Sequence, residues 1–83
     1  MTFNDLKFTY RNSMGIQAEI QFPNGYGASI IRGAHSYGGK SSLYELAVLK
    51  DGALCYTTPI TNDVEGWLTE EIVTELLQRI ETL

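Results

Sequence analysis

Apolar side chains recur at every second residue early in this chain and at helical spacing at its end, and few small folds satisfy both patterns. Over residues 6–11, Leu6, Phe8 and Tyr10 alternate with Lys7, Thr9 and Arg11. Over residues 16–22, Ile16, Ala18, Ile20 and Phe22 alternate with Gln17, Glu19 and Gln21. Period two with aromatic and β-branched residues marks strands that bury one face. From Thr69 onward the period changes. Ile72, Val73, Leu76, Leu77, Ile80 and Leu83 fall on one helical stripe, with Thr69 placed to cap and Glu70 and Glu71 in the first turn. The stripe reads as core packing, across one face of a sheet.

The punctuation between these runs sets the topology. Asn12-Ser13-Met14-Gly15 makes a short turn. Asn24-Gly25, after Pro23, signals a hairpin because both residues tolerate positive φ. A third strand then carries Tyr26, Ala28 and Ile30. Residues 43–49 fit strand or helix, and a helix there would give a βαβ arrangement. A strand is preferred, because Asp51-Gly52 joins it to the β-rich run Ala53-Leu54-Cys55-Tyr56-Thr57-Thr58. Pro59 lacks a ladder donor and closes that strand, and residues 61–67 read as a turn-rich linker. The expectation is one α+β domain over residues 1–83. Its antiparallel meander sheet has about five strands (6–12, 16–23, 26–32, 43–50 and 53–59), and one C-terminal helix (69–82) packs on one face. The other face stays partly open, lined by Lys7, Arg11, Gln17, Glu19 and Gln21, and the edge strands are free to pair with another chain.

Size and composition exclude several classes of function. A chain of 83 residues makes one domain. It buries only about 60–65% of its unfolded surface, so its core is thin. A single Cys55 cannot form an internal disulfide, and one cysteine with one histidine gives no ordinary structural zinc site. Cytoplasmic residence, no metal and no cofactor are the expectation. No apolar run spans a bilayer and no secretory leader is evident. Charge is uneven. Residues 51–83 carry Asp51, Asp63, Glu65, Glu70, Glu71, Glu75 and Glu81 against Arg79 alone, and the net charge is −4. That balance argues against nucleic acid as partner and suits a basic protein surface. Its plainer reading is that Glu70 and Glu71 complement the helix N-terminus and the remaining acids form a solvated face.

The Gly33–Ser42 loop holds two motif fragments that compete for the same residues. A-x-x-x-x-G-K-S, from Ala34 to Ser41, fits a relaxed phosphate-binding loop, with Lys40 for the outer phosphates and Ser41 for magnesium. A-H-S-Y-G-G resembles a nucleophile elbow around Ser36. The elbow lacks a base, since His35 is the only histidine and adjoins Ser36 in the turn. The phosphate loop lacks a second acidic strand end, and a doubly wound sheet needs more chain. A Gly/Ser-rich loop between two strands accounts for the segment, and no catalytic residue is expected.

The segments Y-G-A-S-I-I-R-G, S-Y-G-G, L-Y-E-L-A-V-L and C-Y-T-T-P-I-T-N-D-V-E-G-W-L-T-E-E, with the final helix, span Gly25 to Leu83. This stretch, about two thirds of the chain, resembles small proteins encoded by bacteriophages and prophages. The resemblance implies a small acidic binding protein that acts on a host protein, with inhibitors of host defence such as anti-CRISPR proteins as one such class. The expected contact surfaces are the acidic segment with Asp63, Glu65, Glu70, Glu71 and Glu75, and the loop with His35, Tyr37 and Lys40. Tyr37 and Trp67 are natural aromatic anchors. Tyr37 reads equally as a loop aromatic over the sheet edge, and Trp67 reads first as core packing at the start of the helix. A homo-oligomeric accessory protein, with a homodimer as its assembly, is the alternative. Nucleotide binding through Lys40 and Ser41 is a further one.

Overall fold

The computed structural model describes residues 1–12, 15–61 and 63–83. Two residues of the expected first turn, Ser13 and Met14, and Asn62 of the expected linker lie outside the described residues. The strands are β1 (Thr9–Tyr10), β2 (Ile16–Gln21), β3 (Tyr26–Arg32), β4 (Tyr44–Lys50), β5 (Ala53–Leu54) and β6 (Glu65–Leu68), followed by helix α1 (Glu70–Glu81). Strands β1 to β5 form an antiparallel meander in chain order, and β6 returns to pair with β4. The architecture is the expected α+β sheet with one helix, enlarged by a sixth strand.

Register divides the sheet into two faces. Ala18 lies opposite Ile30, and Ile30 opposite Leu46, so these residues share a face. Ala28, Ile30, Tyr44, Leu46 and Val48 on that face pack with Val73, Leu76, Leu77 and Ile80 of α1 in one buried cluster. Gln17, Glu19 and Gln21 fall on the opposite face with Ser29, Ile31, Ala47 and Leu49. This is the face expected to stay open. Lys7 and Arg11 stand outside the strands.

The hairpins follow their turn chemistry. Asp51 and Gly52 both take positive φ, 51° and 84°, as a two-residue turn with the twist of its strands requires. At Asn24-Gly25 only Gly25 is left-handed, with φ 87°. Asn24 is used differently from the expectation: its side-chain amide donates to the carbonyls of Ile80, Glu81 and Leu83, and its Oδ1 accepts the Tyr26 N–H. One residue thus shapes the hairpin and caps the carbonyl end of the helix. At the other end Thr69 Oγ1 accepts the Ile72 N–H at 3.2 Å, as a capping threonine should.

Two expected strands are much shorter than their sequence pattern. Residues 6–8 leave the ladder because the N-terminal segment docks on the helix side. Phe3 N–H donates to Thr74 Oγ1 at 2.8 Å, the terminal amino group pairs with Glu81 at 2.7 Å, and Phe3 and Phe8 pack on Tyr44. Cys55 N–H still donates to Val48 C=O at 2.9 Å, and residues 56–59 leave β4 because β6 takes the same edge further along. The Thr58 hydroxyl then turns the chain by accepting from Ile60 and Thr61 N–H.

Candidate functional site

The glycine loop and β6 form one unit, and the sequence alone did not join them. After β3 the chain folds back over residues 33–43, with a short 3-10 turn at Gly39–Ser41. Most of its amides are used internally. Gly39 N–H donates to Ser36 C=O, Ser41 and Leu43 N–H to Gly38 C=O, and Ser42 N–H to Gly39 C=O. Ser36 Oγ accepts the Gly33 N–H and donates to the Gly33 carbonyl. The hydroxyl that an elbow would expose is therefore a staple inside the turn. Lys40 and Ser41 lead into strand β4 rather than the helix a phosphate loop requires. The amides of Ser36, Gly39, Ser41, Ser42 and Leu43 all donate within the loop.

What the loop does is cover the edge of β6. Trp67 N–H donates to Tyr37 C=O at 3.1 Å, and Tyr37 N–H donates to Glu45 Oε1 at 2.9 Å. Three glycines make the approach feasible. A Cβ on Gly66 would run into Tyr37 Cβ, one on Gly38 would press on the Trp67 backbone, and one on Gly39 would strike the Gly33 carbonyl. Tyr37 therefore is the aromatic over the sheet edge that its loop position allowed, and it also stays 62% exposed.

Trp67 corrects an expectation. The sequence places it first in the core, at the end of a linker over residues 61–67. It instead lies in β6 and is 63% exposed. The register explains why. Tyr44 pairs with Leu68 and Leu46 with Glu65, so β6 carries one residue more than β4 over this stretch. That is a β-bulge, and it lets Leu68 reach the core beside Tyr44. Trp67 takes up the extra length at φ 58°, a left-handed conformation that costs a bulky residue about 1–2 kcal/mol. Bulges re-aim side chains, and this one holds an indole in solvent. The sequence signal was Gly66 before Trp67 with apolar Leu68 after it.

The other predicted site residues are exposed but dispersed. His35 and Lys40 lie on the same loop as Tyr37. Asp63 precedes β6, and Glu65 opens it. Glu70, Glu71 and Glu75 lie on the solvent side of α1, with Glu71 and Glu75 one turn apart. Among the described residues none of these five carboxylates forms an ion pair. The fold thus joins the loop to the β6 half of the acidic segment through Tyr37 and Trp67, and the helix acids follow directly in the chain. Among the described residues no cluster of His, Cys, Asp or Glu has the makings of a metal site. Among the described residues no helix is long and apolar enough to cross a membrane. At the opposite end of this sheet edge the half-buried Cys55 thiol is held below its ordinary value by hydrogen bonding from the Thr57 backbone and hydroxyl, with the Lys50 charge adding to it. Comparison with protein-family models, with curated proteins and with solved structures finds no match for the chain.

Proposed function

We propose that this protein is a non-enzymatic binding protein, encoded by a phage, that inhibits or modulates a host protein in the bacterial cytoplasm. A component of CRISPR-Cas or another defence system is the class of target implied by the resemblance of residues 25–83. The observation that carries the binding reading is the exposed pair Tyr37 and Trp67, hydrogen-bonded through their backbones. Aromatic side chains dominate protein interfaces because they bring large contact area at low entropy cost. A large ring held in solvent by a strained backbone earns no stability in the free protein. The unpaired carboxylates of Asp63, Glu65, Glu70, Glu71 and Glu75 surround it in sequence and suit a basic partner surface.

The test is an affinity pull-down from bacterial lysate with four tagged baits: the native protein, Trp67→Gly, Tyr37→Ala, and the charge reversal Glu71→Lys with Glu75→Lys. A stoichiometric host protein should be retained by the native bait and lost or weakened by the variants, while their thermal unfolding stays close to native. Retention by every variant would sink this surface as the interface. The second reading, a homo-oligomeric accessory protein, is favoured by the sheet face away from α1, where Ile31 stays partly exposed and Leu54 is 58% exposed. It predicts a mass that rises with concentration, and a strict monomer at high concentration removes it.

A further inference from the structure

One edge of the sheet is unfinished. Phe22 N–H donates to Tyr26 C=O on the β3 side, and Arg11 N–H donates to Gly15 C=O on the β1 side. Bonded pairs alternate along an antiparallel ladder. The even residues of β2 therefore turn their backbone groups toward β3, and the odd residues turn theirs outward. Thr9 of β1 meets Gln17. Beyond it, Glu19 and Gln21 present N–H and C=O groups to which no backbone hydrogen bond runs from residues 5–8.

Beside them lies an open cleft of about 240 Å³ lined by Asp5, Leu6, Lys7, Glu19 and Ile20. Register accounts for this lining. Continued past Thr9 and Gln17, the ladder would set Lys7 opposite Glu19 and Leu6 opposite Ile20. The chain does not follow that course, because its first residues are tied to α1 through Thr74 and Glu81. Glu19 is exposed and, among the described residues, has no ion-pair partner.

We propose that this edge receives an extended peptide segment of a partner protein, added to β2 as a strand, with a basic side chain against Glu19 and an apolar one against Ile20. Strand addition takes its affinity from main-chain hydrogen bonds and its selectivity from alternate side chains. Here the free groups of Glu19 and Gln21 supply the first. The pairing that the chain's own Lys7 and Leu6 would make indicates the second. The edge is at the far side of the sheet from the Tyr37–Trp67 surface and stands independently of it.

The probe is the peptide acetyl-Thr-Thr-Ile-Lys-amide, titrated into the ¹⁵N-labelled full chain and followed by amide NMR shifts. Saturable shifts are expected at Glu19, Ile20 and Gln21. The same peptide N-methylated at its lysine loses a ladder donor and should bind about tenfold more weakly. In the free protein the Glu19 and Gln21 amides should exchange with solvent faster than those of Ala18 and Ile20. Three results would overturn the proposal: no shift at millimolar peptide, equal binding of the N-methylated peptide, or protected Glu19 and Gln21 amides, which would mean residues 5–7 close the edge. Shifts of these amides on dilution of the protein alone would give the edge to a second copy and overturn it too.

Discussion

Trp67 pays backbone strain for an exposed ring, so its removal should separate stability from binding. Replacing it with glycine relieves a left-handed φ of 58° and gives up little buried area. The unfolding free energy of Trp67→Gly should stay within about 1 kcal/mol of native or rise, as relief of αL strain against modest packing loss implies. Denaturant unfolding followed by circular dichroism measures it. A loss well beyond that would show that the indole packs after all. Cys55 offers a second residue-scale check. Its depressed pKa comes from hydrogen bonds that favour the thiolate, the Thr57 backbone first and its hydroxyl second. The alkylation rate should therefore rise with pH at a midpoint below that of a free cysteine. Thr57→Val removes the hydroxyl and should move the midpoint upward. A midpoint that ignores this substitution would remove the hydroxyl's part in the shift.

At the scale of elements, the glycine loop behaves as packing and not as a ligand cradle. A methyl group on Gly39 meets the Gly33 carbonyl and Ser36 Oγ, and the backbone has nowhere to move. Gly39→Ala should cost about 2–3 kcal/mol, in the range of overpacking. Gly52→Ala meets nothing within 4 Å and bears only the strain of φ 84°. It should cost about 1–2 kcal/mol. If the two cost the same in denaturant unfolding, the loop does not press on its own turn as described. The same elements show where the sequence was legible. β4 buries Ala47 and Leu49 on one face and Leu46 and Val48 on the other, and what favours a strand there is the Asp51-Gly52 turn with the β-rich run after it. Alternation located β2 and β3 to within about two residues because each buries one face. The stripe from Val73 to Ile80 and the cap at Thr69 located α1 for the same reason. Residues 6–8 alternate as well as β2 does and residues 56–59 continue a β-rich run, and yet neither forms a strand. Their fate depends on competition for the β4 edge and on docking to α1, which no local pattern records. β6 escapes the sequence pattern for the converse reason: a bulged strand with Gly66 and a left-handed Trp67 has no period. Of the candidate site, the residue types were legible. What joins Tyr37 to Trp67 is a long-range backbone hydrogen bond, and it was not.

At the scale of the whole molecule, one thin core must hold everything. α1 lies across β3 and β4, Asn24 fastens the β2–β3 hairpin to its C-terminal end, and the N-terminal segment runs along its side. Among the described residues one buried apolar cluster joins β3, β4 and β6 to α1. Unfolding should accordingly be a single transition, seen at one temperature by far-ultraviolet circular dichroism and by near-ultraviolet signals from Tyr44 and its neighbours. A chain of this length has a stability of about 4–12 kcal/mol. Leu77 is fully buried beneath the helix, and Leu77→Ala should remove about 3 kcal/mol of that through lost transfer energy and the cavity left behind. For a domain of this size the loss lowers Tm by about 12–24 °C. Ile72 is on the same helix but is 42% exposed, so Ile72→Ala should change stability by no more than about 0.5 kcal/mol. The contrast between two residues five positions apart isolates the burial of the helix face from helix propensity, since both substitutions place alanine in the same helix. Equal losses at Leu77 and Ile72 would mean that α1 sits on the sheet by a different face. Two separated transitions in Leu77→Ala would mean that the meander holds together without its helix.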